Sequence, residues 1–208
     1  MSLLATIVII FIECYLFYLG QITIHNCAHN LLFCRSKRWN KIVGHVLSSM
    51  QLVAFEGWRA AHMLHHRYAN SPKDPHHVDR PLIPYILTHY YRIVKALWDP
   101  KPFFIAISPP ILIALAIIVW QASIGYGTRG LVWVTQFWLI PTIFSQMLVA
   151  HFNYIGHVNL PSGRGRDTRS FKHGFWKIVN LFTFNFYHHA EHHLKPSEAI
   201  PTPDLSIQ

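Results

Sequence analysis

Charged side chains are scarce in this chain of 208 residues. Asp, Glu, Lys and Arg together make up 13% of it, against roughly 25% in soluble globular domains, whereas apolar residues make up 51%. Only 9 residues are acidic, and no cluster of them offers the carboxylate bridges of the dimetal sites in soluble four-helix bundles. The length fits one domain with a single core, and the composition indicates that this domain lies in a membrane.

Cysteine is scarce as well. The three thiols, Cys14, Cys27 and Cys34, are too few and too irregularly spaced for a disulfide framework or for a zinc site of the CxxC type. We therefore expect reduced cysteines that pack among other side chains.

The N-terminal stretch MSLLATIVIIFIECYLFYLGQITI lacks the basic start and the small-residue cleavage site of a secretory signal. A retained membrane helix over residues 3–24 is favoured instead, since a span takes about 20 residues. Residues 103–124 and 131–156 are also long and apolar enough, and the glycine-rich turn GYGTRG between them predicts a helical hairpin. Pro109, Pro110 and Pro141 fall inside these two spans and predict kinks.

Two further apolar stretches, residues 42–58 and 81–98, contain polar or basic residues such as Glu56, Arg92 and Lys95. Such a mixture is typical of helices that lie in the membrane interface. We interpret both stretches as surface or re-entrant helices. The sequence therefore predicts three membrane-spanning helices.

The 18 Lys and Arg residues are distributed unevenly along the chain. Eleven lie from Arg35 to Lys101 and six after Gly156, whereas the hairpin turn has only Arg129. With three spans, 17 of the 18 lie on one side of the membrane, which the positive-inside rule makes the cytoplasmic side. The net charge of +9 is thus a sign of topology, and because no soluble basic module is present we expect no binding to nucleic acid.

Histidine, by contrast, is abundant, with 16 residues. On a helix, positions i, i+3 and i+4 lie within an arc of about 100°, so that imidazoles with this spacing can face one point. Three groups have helical spacing: His25 and His29 in HNCAHN, His62, His65 and His66 in HMLHH, and His189, His192 and His193 in HHAEHH. In the last group His188 also has a suitable spacing relative to His192, but the HxxHH register shared with the second group favours His189.

A further candidate follows the third span in HFNYIGH, as either His151 or His157. If residues 42–58 crossed the membrane, the first two groups would lie on opposite faces and could not share a metal. As an interfacial helix, this stretch leaves all groups on one face. Metal binding and charge asymmetry therefore predict the same topology.

The other histidines are interpreted as residues without a metal-binding role. Isolated ones such as His45, His89 and His173 are typical of satisfied surface or core positions. His76 and His77, in the loop SPKDPHHVDRP, are typical of solvated residues.

Eight or nine imidazoles exceed the ligand shell of one metal ion, which for zinc takes four protein ligands in a structural site and three in a catalytic one. The number therefore predicts two metal ions, and imidazole suits zinc, copper, iron or nickel. Two metals at a membrane surface indicate O₂ chemistry on a lipidic substrate, with removal of a hydrogen atom from an unactivated C–H bond. A metal transporter or storage protein is the alternative, but it would place histidines along a path inside the spans.

In order and spacing, HNCAHN, HMLHH and HHAEHHLKP resemble the three histidine boxes of the membrane fatty acid desaturase and hydroxylase superfamily, over about residues 25–196. The resemblance implies a non-haem di-iron centre, O₂ as co-substrate, and two electrons from a donor such as ferredoxin or cytochrome b5. NYIGH resembles the segment that gives the membrane alkane hydroxylases of this superfamily a further ligand. The implied iron ligands are His25, His29, His62, His65, His66, His157, His189, His192 and His193.

We expect an all-α integral membrane protein with about three transmembrane helices plus interfacial helices, as one desaturase-like domain over residues 1–208. Desaturases typically have two spans before the first box, whereas one precedes it here. The dimetal site is expected on the cytoplasmic face of a bacterial inner membrane or of the endoplasmic reticulum. Asn153 and Asn185, next to box residues, are candidates for orienting a ligand or water, with helix-end capping or solvation as the alternative.

The expected reaction is desaturation of a fatty acyl chain, in which hydrogen leaves one methylene and then its neighbour. Hydroxylation or ketolation of an acyl chain, an alkane or a carotenoid is the alternative, because the same metal set supports either outcome. FNFYHHAEHHL also resembles carotenoid ketolases.

Overall fold

The computed structural model describes residues 2–34 and 36–198, and these residues form helices and loops without a strand. Arg35 and the two ends of the expected domain, residue 1 and residues 199–208, lie outside the described part. The helices are α1 (Leu3–Ala28), α2 (Lys37–Met50), α3 (Phe55–Tyr68), α4 (Leu82–Ala96), α5 (Pro100–Gln121), α6 (Arg129–His157), α7 (Phe175–Phe182) and α8 (His189–Leu194).

Among the described residues, three helices are long and apolar enough to cross a membrane: α1, α5 with its continuation to Tyr126, and α6. This confirms the prediction of three spans. Large apolar side chains on these helices stay exposed, as at Phe11, Leu112 and Val119. Such bands are unfavourable in water but fit the hydrocarbon core of a bilayer, as expected for an integral membrane protein.

The predicted hairpin is present between α5 and α6. Gly125 and Gly127 reverse the chain with φ angles of +86° and +55°, which glycine adopts at low cost. Pro109 and Pro110 lie within α5 without ending it. A widened turn at Thr135–Leu139 precedes Pro141, because proline has no N–H to donate to the preceding turn.

The expected helix over residues 42–58 is two helices, which corrects the prediction. α2 ends at Met50 and α3 begins at Phe55, with Leu52 at a φ of +58° between them. Nothing in the local sequence marks this break strongly, because it depends on tertiary hydrogen bonds.

Those hydrogen bonds tie the α2–α3 turn to the middle of α1 and of α6, which agrees with the re-entrant one of the two interpretations. Gln51 Nε2 donates to the carbonyl of Phe17, and Ser145 Oγ donates to Gln51 Oε1 at 3.1 Å. Phe17 lies 11 residues before the end of α1, or about 16 Å along the helix. Irregular backbone at such depth is tolerated where protein groups satisfy it.

Two helices carry apolar side chains at the periphery. α4 agrees closely with the predicted helix over residues 81–98 and exposes Ile83, Leu87 and Tyr91. α7 exposes Phe175, Ile178, Leu181 and Phe182. Short amphipathic helices of this kind fit the membrane interface.

Candidate metal centre

The structure brings all nine predicted histidines to one end of the helix bundle, in two clusters. Within each cluster the candidate ligand nitrogens lie within 4.8 Å of one another. The clusters are adjacent, since the rings of His66 and His193 have centroids 4.3 Å apart. Cluster one contains His25, His29, His62, His66 and His192, and cluster two contains His65, His157, His189 and His193.

Each HxxHH motif contributes to both clusters, which corrects the expectation that its three imidazoles face one point. His62 and His66 lie in cluster one and His65 in cluster two, whereas His189 and His193 lie in cluster two and His192 in cluster one. Helical geometry explains the division. Positions i and i+4 are about 40° apart around the axis, whereas i+3 lies about 60° away on the other side.

The ring nitrogens in cluster one are crowded beyond what hydrogen bonding can satisfy. Nε2 of His62 lies 2.9 Å from Nε2 of His29 and 3.0 Å from Nε2 of His66, which is itself 3.1 Å from Nε2 of His192. A ring nitrogen of neutral imidazole either donates once or accepts once. At most two of these three contacts can therefore be hydrogen bonds, and the converging lone pairs fit a cation.

The ring nitrogens of cluster two also converge without enough hydrogen-bond partners. Nε2 of His157 lies 2.8 Å from Nε2 of His189. Nε2 of His65 and of His193 is buried without a hydrogen-bond partner among the described residues. Buried imidazole nitrogens without partners are costly unless a metal ion binds them. The donor set therefore fits metal ions in both clusters.

Burial keeps these imidazoles neutral. Loss of hydration lowers the pKa of His29 to about 2 and holds the pKa of His62, His65 and His189 well below the ordinary value. The neighbouring imidazoles lower these pKa values further. Neutral imidazole is the form that binds metals, so the clusters are ready for metal binding at neutral pH.

Behind cluster two lie carboxylates that the sequence did not reveal. Nδ1 of His65 donates to both oxygens of Asp74 at 3.0 Å, and both side chains are almost completely buried. Burial raises the pKa of Asp74 to about 7, although two backbone N–H groups donate to its carboxylate and by themselves lower this pKa. A carboxylate behind a ligating histidine fixes its tautomer and ring orientation. The only sequence signal was the position of Asp74 nine residues after His65, among few acidic residues.

Asp167 has a similar place near the other histidines of cluster two. Its backbone carbonyl lies 2.8 Å from Nδ1 of His157, and its carboxylate lies 3.7 Å from Nδ1 of His193. The first contact leaves Nε2 of His157 facing the cluster. Gly156 allows the close packing here, because a Cβ atom at this position would lie 2.9 Å from the ring of His189.

Between the two candidates after the third span, the structure places His157 in cluster two and leaves His151 outside both clusters. His188 also lies outside them, just before α8. Asn153 donates to the backbone carbonyl of His76 at 3.0 Å and to the hydroxyl of Tyr85. Asn185 lies in the turn before α8 with a φ of +60°.

His76 is not solvated, which corrects the interpretation of its loop. Its side chain is buried, and its Nδ1 lies 3.0 Å from Nε2 of the buried His89. Its ring centroid lies 4.9 Å from that of His65. His77 is partly buried beside it. Sequence spacing could not reveal this pair because α4 brings His89 to the loop.

A family model described as fatty acid desaturase matches residues 1–206. The chain belongs to the fatty acid desaturase family. Membership agrees with the helical membrane fold and with histidine clusters that can hold metal.

The desaturase-family chain is also similar to curated plant proteins. It is 33% identical over 110 residues to an omega-3 fatty acid desaturase of Brassica napus, covering 53% of this chain and 24% of that protein. It is 31% identical over 110 residues to the sn-2 acyl-lipid omega-3 desaturase (ferredoxin) of Arabidopsis thaliana, covering 53% of this chain and 22% of that protein. The matched part thus spans about a quarter of these relatives. No solved structure matches the chain significantly.

Proposed function

We propose that this protein is an O₂-dependent di-iron desaturase that introduces a double bond into a fatty acyl chain of a membrane lipid. The observation that carries the proposal is the pair of adjacent histidine clusters, each supplied by both HxxHH motifs. The rings of His66 and His193, one from each cluster, have centroids 4.3 Å apart, so two metal ions held by these clusters would be close enough to act on one small molecule. The proposed ligands are the five histidines of cluster one and the four of cluster two.

The chemistry that two bound iron ions would supply is reduction of O₂ and removal of hydrogen from an unactivated methylene. Over one turnover, a –CH₂–CH₂– segment, O₂, two electrons and two protons become a –CH=CH– segment and two molecules of water. The protein's part is to position the chain and to exclude competing reactions. Asp74 and Asp167 contact His65 and His193 and hold the orientation of these two rings of cluster two.

An apolar cavity of about 360 Å³ supports an acyl substrate. It lies among α2, α3, α4 and the start of α5, with Tyr90, Ile93 and Phe103 in its walls. Trp58 and Val149 also line a second cavity, of about 30 Å³, beside both clusters. The ring of Trp58 stacks on that of His62, with centroids 5.0 Å apart. We infer that the acyl chain lies in the larger cavity and that its reacting methylenes pass Trp58 and Val149.

A cleft of about 440 Å³ that reaches both clusters supports docking of an electron donor. His66 of cluster one and His193 of cluster two line it, together with Arg67 and Arg164. Among the described residues, Asp167 is the one acidic residue that lines the cleft. The two arginines beside one histidine from each cluster suit an acidic donor of the ferredoxin or cytochrome b5 type. The name of the Arabidopsis relative specifies ferredoxin and an acyl lipid, and we extend both to this chain as proposals.

The distribution of basic residues along the chain supports a cytoplasmic active site. Seventeen of the 18 Lys and Arg residues lie outside the hairpin turn, on the side where the positive-inside rule puts the cytoplasm. Such an orientation fits the inner membrane of a bacterium or the endoplasmic reticulum, where soluble donors reach the cleft.

The test is lipid profiling by gas chromatography–mass spectrometry in a host that supplies its own reductase. We expect new double bonds with the wild-type chain and none with His192→Ala. Hydroxylated or keto products in place of double bonds would refute desaturation and support the alternative reaction.

A matched pair of variants tests the acyl cavity in the same host. Val149→Trp fills the passage between the two cavities and should abolish product while the iron content stays unchanged. Val132→Trp, on the exposed face of α6, should leave product formation unchanged. Equal product yields from both variants would exclude this cavity as the substrate site.

A further inference from the structure

A further cavity, which we call the lateral cavity, lies between α4 and α6 beside the α2–α3 turn. Its volume is about 270 Å³, and most of its surface is apolar. Its described lining residues include no histidine, so the lateral cavity is separate from the metal centre.

The outer side of the lateral cavity faces the bilayer. Leu87 of α4 and Ile143 and Met147 of α6 line it, and all three side chains are exposed. Ile143 is the midpoint of α6, which is long and apolar enough to cross the membrane. Exposed apolar side chains at this depth contact hydrocarbon, so the lateral cavity opens toward the acyl chains of the lipids.

The inner side of the lateral cavity adjoins the acyl cavity. Tyr90 and Gln146 line both cavities and separate them. The hydroxyl of Tyr90 donates to the backbone carbonyl of Leu52, and Nε2 of Gln146 donates to that of Gln51 at 3.4 Å. The partition is therefore two side chains held by the α2–α3 turn, and their rotation would join the cavities without moving a helix.

The acyl cavity also reaches the surface at a charged position. His45, Glu56 and Asp99 line it there, and all three are exposed. Glu56 pairs with Lys41 at 3.0 Å. Hydrated charges of this kind oppose the passage of a bare hydrocarbon chain, because they would lose water to it. The lateral cavity offers a path without such charges.

We propose that the lateral cavity is the entrance through which one acyl chain of a bilayer lipid reaches the acyl cavity, with Tyr90 and Gln146 as its gate. The proposal rests on the proposed function, because it uses the same acyl cavity. The chain keeps apolar surroundings along this path, while the headgroup stays at the membrane surface.

The test is photo-crosslinking of the iron-loaded full chain in lipid nanodiscs without an electron donor, so that no turnover occurs. The probe is a phospholipid with a diazirine on one acyl chain, at a mole fraction too low to saturate the site. Peptide mass spectrometry locates the label. In the wild type we expect it in both the lateral cavity, at Leu87 or Ile143, and the acyl cavity, at Ile93 or Phe103.

A blocking variant tests the entrance. Met147→Trp narrows the lateral cavity and should lower the label in the acyl cavity about tenfold, the factor for a steric clash of the size of overpacking. Phe144→Trp is the matched control, since Phe144 and Met147 are both 40% exposed on α6 and only Met147 lines the lateral cavity. An undiminished label in the acyl cavity of Met147→Trp would overturn the proposal.

A second pair of variants tests the gate. Tyr90→Phe keeps the ring but loses the hydrogen bond to Leu52, so opening becomes easier and the label in the acyl cavity should rise about fivefold, the factor for one neutral hydrogen bond. Tyr91→Phe, at an exposed neighbouring position, should label like the wild type. Equal labelling of the two variants would exclude Tyr90 as a gate.

The labelling needs no reaction, so the two proposals fail separately. If the label follows the expected pattern while lipid profiling finds no product, only the proposed function fails. If product forms while Met147→Trp keeps its label in the acyl cavity, only the entrance fails.

Discussion

Neighbouring histidines of one motif serve different clusters in this protein. His65 and His66 are adjacent in sequence, yet they lie in clusters two and one respectively. Their directions differ by about 100° around the axis of α3. The consequence is that each HxxHH motif ties the two clusters together.

This division predicts which metal ion each histidine holds. We expect His62→Ala and His65→Ala each to lower the iron content from about two to about one per chain, because each removes a ligand from a different cluster. The double variant should lose both ions. Iron per chain, measured by inductively coupled plasma mass spectrometry on freshly purified protein, provides the check.

His188→Ala is the matched control, since His188 lies one residue before a box histidine but outside both clusters. It should keep about two iron ions per chain. Loss of both ions from either single variant would show that the two clusters are not separate sites.

In the proposed metal centre, Asp74 would act on the metal through His65, to which it is hydrogen-bonded. We expect Asp74→Asn to weaken iron binding about 10- to 100-fold, the range for loss of a carboxylate behind a ligating histidine. Competition with a chelator measures the affinity. Asp79→Asn is the control, because Asp79 pairs with Arg80 and Arg92 near the surface and should leave the affinity unchanged. Equal affinities for both variants would exclude the role given to Asp74.

At this scale, spacing within helices was enough to find eight of the nine histidines of the clusters, and the resemblance of NYIGH to a known segment selected His157. Their role as ligands stays a prediction. Asp74, Asp167 and His76 were missed. Each reaches the site from a loop, and its burial depends on residues distant in sequence, such as His89 and His193. A periodic pattern carries no information about such contacts.

Among the helices, α2 and α3 form the element that brings the second histidine motif to the site. α2 enters the bundle and α3 returns from it, and the two pack closely where Gly44 faces Phe55. A Cβ atom at Gly44 would lie 2.4 Å from the Phe55 ring, which is buried. The re-entrant pair therefore depends on glycine at this position.

Gly44→Ala should lower the melting temperature in detergent. Overpacking typically costs about 1–3 kcal/mol, which exceeds the gain of up to about 1 kcal/mol from alanine in a helix. Gly57→Ala in α3 is the control, because nothing lies within 4 Å of its Cβ position, and it should keep or raise the melting temperature. Equal melting temperatures for the two variants would contradict the close packing.

The lengths and apolar character of the spans predicted α1, α5 and α6 within a few residues. The break between α2 and α3 escaped prediction because Gln51 lies in the turn without a Pro or Gly beside it. Its side chain bonds α1 and α6 instead. Tertiary hydrogen bonds, which local sequence does not encode, determine where α2 ends.

On the scale of the whole molecule, the three spans put both clusters and most basic residues on one face. Cys34 is exposed near this face, whereas Cys14 and Cys27 are buried. A membrane-impermeant maleimide should therefore label Cys34 in inverted vesicles and not in intact cells.

A second variant reverses this labelling. Thr128→Cys in a Cys34→Ser background puts the thiol at an exposed position in the hairpin turn. This variant should react with the maleimide in intact cells. Labelling of Cys34 from outside intact cells would contradict the proposed cytoplasmic position of the clusters.

The central claim is that two iron ions lie in two unequal histidine sites, one with five candidate ligands and one with four. Mössbauer spectroscopy of protein produced with ⁵⁷Fe tests it most directly. The account predicts two quadrupole doublets of equal area, from about two iron ions per chain. Absorption from one iron per chain, or clusters filled by zinc with no iron signal, would contradict it.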